Sequence, residues 1–450
     1  MTTSANSDIP LVPFGRTAAA IASHRIAALG ELSAQAGDTL LRLNLGLFRP
    51  YLAARPEHVQ HVLADHAGNY PRGDMLWRPV RQLIGWGLGN EGATHAASRA
   101  RIQPLFSSRN VGSLIELMAA TVAEAVTELD QPAATRQPVD AGAVMTRIVN
   151  RTIVRAFFGD RIGGADAEAL GDSIATAFTS LGARLLLPFV PDAVPLPGGR
   201  AFRRAVRTVD RVIYPLIRRC RADTGPRGDV VSLLCRARDE RGIGLDDRQV
   251  RDDLVAVFVA GSETTAVALT WLWVVLDSHP GVAAALAEEV HRVVGTARPT
   301  AAHLFELRYT RLVLHELLRL YPSGWLIPRT AQAADTIDGV PVEAGATVLV
   351  SPYVTHRLPA LWPDPEDFDP QRFTPERVRQ RHRFTYFPFG GGTHQCLGSH
   401  FFTVQAQLIV AGLLSRYRVS RLRDGPVQPR ASVTLRPRRP VEIVLRPCAA

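Results

Sequence analysis

The stretch LVAVFVAGSETTAVALTWLWVVL, residues 254–276, most constrains what this chain can fold into. It is apolar on every side of a helix, so it must be covered all round, by lipid or by protein. About 20 such residues suffice to span a bilayer. Glu263, Thr264 and Thr265 sit in its middle, however, where a carboxylate facing lipid is expensive. The reading is therefore a helix through the centre of a large protein body, with no membrane span. A body that can bury such a helix needs many other helices, and 450 residues can supply them.

Helical patterns run over 94–108, 113–130, 139–158, 165–181, 198–222, 246–278, 280–295 and 308–320, with an amphipathic helix at 16–35 and another in ARPEHVQHVLADH. TLLRLNLGLFRPYLAA, 39–54, alternates on both sides of Arg49-Pro50 and predicts two short antiparallel strands. Strand-like pieces return at 335–350 and after 428. The fold class is mainly α with small β-sheets. No linker, repeat or low-complexity block divides the chain, so 1–450 reads as one domain. Two stretches interrupt the pattern. Segment 70–92, with Trp77 and Trp86, reads as irregular, and 183–199 as an apolar, proline-rich loop. Both suit a lid or a binding loop.

The net charge is +10, and all 52 basic residues are arginine. They are scattered, with no basic tail and no aromatic interleaving, which argues against nucleic acid and suits an acidic protein partner. Cys220, Cys235, Cys396 and Cys448 match no zinc spacing and are too few for a disulfide scaffold, which suggests a reducing, cytoplasmic setting. The N-terminus lacks a basic region followed by an apolar core, so no signal peptide is expected.

FPFGGGTHQCLGSH, 387–400, places Cys396 behind three consecutive glycines and between two histidines. A buried structural cysteine explains none of the glycines. A metal site of His394, Cys396 and His400 matches no known zinc arrangement. In a third reading the thiolate is an axial ligand to haem iron, and the glycines let the backbone pass close to a flat porphyrin.

The pattern Phe389, Gly392, Cys396 and Gly398 resembles the haem-binding signature of the cytochrome P450 superfamily. AGSETT, 260–265, resembles that family's central-helix motif. The resemblance makes Glu263 and Thr264 a proton-delivery pair, and Ala260 and Gly261 the haem-facing groove. HELLRL, 315–320, resembles the family's E-x-x-R motif, so Glu316, Arg319 and Arg372 form a structural triad, with Gln371 where the family often has Glu. His95 and Arg99 of HAASR, Arg329 and His394 match propionate-binding positions. Gly390 and Gly398 complete the cradle.

The resemblance covers nearly the whole chain. It implies the cytochrome P450 fold, with haem b between the central helix and the cysteine-loop helix. It implies a cytoplasmic, monomeric monooxygenase that inserts one oxygen atom from O2 into a lipophilic small molecule. Electrons come from a ferredoxin with its reductase, or a flavodoxin, because no flavin or iron–sulfur segment is left over. Arg379, Arg381 and Arg383 are candidates for its docking patch. A peroxide-driven peroxygenase and a non-catalytic haem carrier are alternatives, and the Glu263-Thr264 pair argues against both. By the same analogy the pocket uses Met75, Leu76, Trp77, Phe258, Val259, Trp325, Leu326, Ile327 and Val433. These are mostly apolar, and the lean is to a terpenoid substrate.

Overall fold

The structure is a computed structural model that describes residues 12–13, 15, 26–35, 39–182, 184, 190, 194–223, 225, 229–238 and 242–448. Half of the 16–35 helix and about half of the 183–199 loop therefore lie outside the described residues, and Ala27–Gln35 is a helix. The chain divides into two compact units. The first comprises Met1–Asp74, Glu316–Cys396 and Gln428–Ala431, and the second Met75–His315, Leu397–Val427 and Ser432–Ala450.

The first unit is built on a four-stranded sheet. Leu41–Arg42 pairs antiparallel with Tyr51–Ala53, as the alternation over 39–54 predicts. Tyr51–Ala53 then pairs parallel with Thr347–Val350, whose other edge takes Ile327–Thr330 antiparallel. Asp335–Ile337 and Val340–Val342 form a hairpin. Its turn is Asp338-Gly339, at φ 51° and 79°, the Asp-Gly pair that suits the twist of a tight hairpin. Tyr51, Val59, Val62, Leu63, Val348, Val350, Phe384 and Phe387 pack together as the core of this unit.

The second unit is helical. Its axis is the helix Asp247–Ser278, capped by Asp246 and Gln249 in a reciprocal capping box. This helix is long and apolar enough to cross a membrane, but 83% of its most apolar window is buried inside the protein. It is a core helix, as the carboxylate in its middle predicts. Around it lie Ser108–Thr127, Ala141–Phe158, Gly164–Ser180, Gly199–Ala222 and Ser399–Leu414. A three-stranded sheet of Val139–Asp140, Glu442–Pro447 and Tyr417–Arg421 closes one side.

The structure corrects the reading of 70–92 as irregular, because Asp74–Ile84 is a helix. Pro79 disguised it, since a proline inside a helix removes a backbone donor and crowds the preceding turn. The residues that follow are clamped to the central helix. The Trp86 amide donates to Asp252 at 2.9 Å, and a Cβ on Gly87 would stand 2.0 Å from the Asp253 carboxylate. Ser98 donates closely to Asp253, and Arg101 reaches it at 3.1 Å. Helix Val230–Arg236 and strands Ile327–Thr330 and Tyr417–Arg421 were not expected from the sequence.

Candidate active site

In the first unit, residues 387–396 form a tight irregular loop. The Cys396 amide donates to the Phe389 carbonyl at 2.9 Å, and the Gly390 amide to that of Phe387 at 2.9 Å. Cys396 is exposed, whereas Cys220 and Cys235 are buried. Gly390 and Gly392 have φ of 69° and 65°, a backbone conformation that disfavours side chains. Two of the three glycines also have a role within the protein that the sequence reading did not foresee. A Cβ on Gly392 would fall 1.7 Å from the Leu63 carbonyl oxygen, and one on Gly391 would fall 2.4 Å from the Phe384 ring. The glycine run thus lets the loop fold back on its own unit and turn the Cys396 thiol outward. An exposed thiol on a loop this constrained suits an axial thiolate ligand.

Beneath the loop the triad is assembled as its motif implies. Arg319 donates twice to the Glu316 carboxylate, at 2.7 and 2.8 Å, and both side chains are fully buried. Its remaining donors reach the carbonyls of His356, Pro365 and Asp367. Arg372 lies 3.4 Å from Glu316, and the Asp369 amide donates to the same carboxylate at 2.9 Å. Fork-to-carboxylate pairing of this kind fixes geometry as well as charge.

His356 is a link that the sequence reading missed. Its Nε2 accepts from the Phe387 amide at 3.0 Å, so its Nδ1 carries the proton and donates to the Arg319 carbonyl at 3.3 Å. Burial holds the imidazole well below its ordinary range, and it stays neutral. The triad is therefore wired to the first residue of the cysteine loop.

In the second unit, the central helix is buried from Val250 to Val259 and again from Thr265 to Leu276. Between these stretches Ala260 is exposed and Gly261 and Thr264 are partly exposed. Positions i, i+1 and i+4 lie on one face, so the helix has an open window at the predicted motif. Thr264 Oγ1 donates to the Ala260 carbonyl at 2.7 Å, the back-bonding that loosens a helix locally. A Cβ on Gly261 would come within 3.3 Å of Ile153.

Glu263 points the other way and is buried. It forms a close ion pair with Arg436 and accepts from Thr434 Oγ1 at 3.0 Å. Neither partner was read from the sequence. Thr434 and Arg436 are two apart on an extended segment, where alternate side chains share a face. The Trp271 indole holds that segment through the Leu435 carbonyl at 2.7 Å. The alternation of polar Ser432, Thr434 and Arg436 at every second position was the available signal.

The residues matched to propionate positions have the right character. His95 and Arg99 lie one turn apart on helix Gly92–Ile102, with His95 buried. Arg329 is a buried guanidinium on the edge strand and donates to Pro328 O at 2.9 Å. Buried arginine is the usual partner of a buried carboxylate, so these residues fit haem. His394 is half-buried in the loop, and Gly398 caps helix Ser399–Leu414.

The proposed pocket residues divide. Phe258 and Val259 are buried in the core, Phe258 against Phe158 at 5.9 Å between centroids. Trp77, Trp325, Leu326, Ile327 and Val433 are half-buried. Met75 and Leu76 lie on helix Asp74–Ile84, and their side chains are outside the described residues. Ile327 Cδ1 is 3.8 Å from where a Cβ on Gly390 would be, which puts it beside the cysteine loop.

Residues 32–445 match the family Cytochrome P450. Cyclooctatin synthase of Streptomyces melanosporofaciens is 34% identical over 89% of this chain and 86% of its own length. Cyclooctat-9-en-7-ol 5-monooxygenase of the same organism is 33% identical over 85% and 83%. The heme domain of cytochrome P450DA covers 97% of its own length and 98% of this chain with a TM-score of 0.85, and its 24% identity speaks for the fold alone. With the thiol loop, the triad and the opened helix, these matches establish that the chain belongs to the cytochrome P450 family and is a haem-dependent monooxygenase.

Proposed function

We propose that the chain hydroxylates or epoxidises a terpenoid, with Cys396 as the axial ligand of haem b. The observation that carries the substrate class is the likeness to cyclooctatin synthase, cyclooctat-9-en-7-ol 5-monooxygenase and pentalenene oxygenase, all of which modify terpenoids. The half-buried, uncharged side chains of Trp325, Leu326 and Ile327 support it, because they suit a lipophilic substrate.

When bound, haem supplies the activation of dioxygen with two electrons from outside. The rest falls to this chain. His95, Arg99, Arg329 and His394 hold the propionates. Thr264, on the open side of the central helix, holds a water where protons are needed. Glu263 brings protons to that water. Because Arg436 pairs with it, delivery requires the carboxylate to let go of the arginine and turn toward Thr264. Arg436 is partly exposed and Glu263 is buried, so the ion pair meets solvent on its arginine side.

The electron donor is an acidic ferredoxin, and the chain acts in the cytoplasm as a single domain. Arg379 and Arg383 are exposed and suit its docking. Arg381 does not, because its guanidinium stacks on Trp362 at 4.3 Å and bonds to the Arg372 carbonyl. The salt dependence of first-electron transfer tests the docking claim. Under subsaturating ferredoxin the rate should fall as salt rises, and a salt-independent rate would contradict electrostatic docking.

The substrate claim is tested by titrating the ferric protein with cyclic terpene hydrocarbons and alcohols, and with fatty acids of similar size. Terpenes should shift the Soret band and yield oxygenated products with NADPH, ferredoxin and reductase. Fatty acids that bind and turn over better would overturn the assignment.

A further inference from the structure

Away from the cysteine, the first unit carries a second group of chemistry-bearing side chains. His61–Asp65 is a π-helical turn, and its closing bond runs from the His66 amide to the His61 carbonyl at 2.9 Å. An ordinary α-helical turn would set His61 and His66, five apart, on different faces. The wider turn aligns them, and their rings stack at 4.0 Å with an interplanar angle of 7°. π-turns of this kind are rare and concentrate at functional sites.

Both imidazoles face one carboxylate. His61 Nε2 is 2.8 Å and His66 Nδ1 is 4.0 Å from Asp335 Oδ2, and one ligand atom from each of the three residues lies within 4.8 Å of the others. Asp335 is itself oriented. Tyr70 donates to Oδ2 at 2.8 Å, and the Thr336 amide to Oδ1 at 2.7 Å. A carboxylate fixed by outer hydrogen bonds is the usual support of a metal ligand. His66 is half-exposed and leaves the group open to solvent.

We propose that His61, His66 and Asp335 bind a divalent transition-metal ion. Two imidazoles and a carboxylate suit zinc, copper or nickel and do not suit magnesium or calcium. The ion would take His61 Nε2, His66 Nδ1 and an Asp335 oxygen at about 2.0–2.2 Å, with water in the fourth position. The rings now stack in nearly parallel planes, so binding requires the half-exposed His66 ring to swing out of the stack and bring its Nδ1 to the ion beside His61 and Asp335. The ion would staple the π-turn to the 335–342 hairpin. The same turn presents the Leu63 carbonyl to Gly392 of the cysteine loop, so the staple braces the strand of backbone on which that loop rests.

The test is calorimetric titration of the untagged, haem-loaded protein with zinc, and with magnesium as the control. One zinc per chain should bind and raise the melting temperature, and magnesium should do neither. His66→Ala should weaken zinc binding by at least 10-fold. It is the variant of choice because the ring is half-exposed and packs mainly on His61. Asp335→Asn, which keeps an oxygen for Tyr70, should weaken binding as well. Zinc bound equally by wild type and His66→Ala would overturn the proposal, as would the absence of any zinc binding to a wild-type protein that folds and holds haem. An absorption-edge spectrum of the zinc complex should show two imidazole ligands, and a spectrum with none would equally overturn it.

Discussion

Two buried glutamates, each paired with arginine, are held in different ways. Glu316 meets Arg319 through both oxygens, receives the Asp369 amide and has Arg372 beside it, with no exposure of either member of the central pair. Glu263 meets one partly exposed arginine and one hydroxyl. The first carboxylate has no direction left in which to move. The second has fewer fixed donors, and its arginine partner is partly exposed. Burial alone therefore does not separate the two carboxylates, and the number of fixed donors and the exposure of the partner do.

Breaking the tighter pair should cost most. Arg319→Ala leaves Glu316 buried and uncompensated, a loss of about 3–5 kcal/mol. Little haem-loaded protein should be recovered, read as the ratio of Soret to protein absorbance. A stable, fully loaded variant would show that the pair does not hold the cysteine loop.

Arg436→Gln probes the looser pair and should cost less than Arg319→Ala, because Arg436 is partly exposed and Glu263 keeps the Thr434 hydroxyl as a donor. Haem loading should survive, while the solvent isotope effect on turnover changes. A loading defect as severe as that of Arg319→Ala would erase the contrast between the two glutamates.

Thr264→Ala should leave folding and substrate binding intact and divert reducing equivalents. Product per NADPH should fall by about 100-fold, the lower end of what a positioned proton donor supplies, with peroxide or water formed instead. Unchanged coupling would remove Thr264 from the relay.

The smallest effect is one of pH. His356 is held neutral by burial, so its folded-state value lies below the ordinary one. A group depressed in this way contributes stability above its unfolded value that is lost as pH falls below about 6.5. Burial depresses His58 and His315 in the same direction, so His356→Gln should flatten the acid loss of stability without abolishing it. A variant with the wild-type slope between pH 7 and 5 would show that His356 does not carry this link.

What could be read from the sequence was local. Cys396 with its glycines, Glu263 with Thr264, and Glu316 with Arg319 are each set by spacing within one turn or loop. Their contacts over long separations were not legible. Thr434 lies 171 residues from the Glu263 it bonds, and His356 lies 31 residues from the loop amide it accepts. No local period marks such partners. Helix Asp74–Ile84 was missed for a different reason, since Pro79 breaks the local rule although Leu83 and Ile84 are both buried. The role of the glycines was read only in part, because the Leu63 carbonyl that needs Gly392 bare comes from a segment more than 300 residues earlier.

The account rests on Cys396 as the thiolate that holds haem iron. The most direct measurement is the carbon monoxide difference spectrum of the reduced protein, wild type against Cys396→Ser. Wild type should show the red-shifted Soret band of a thiolate-ligated haem, and the serine variant should lose it while the Glu316–Arg319 pair keeps the loop folded. A serine variant that retains the thiolate-type band would contradict the assignment and place the ligand elsewhere in the chain.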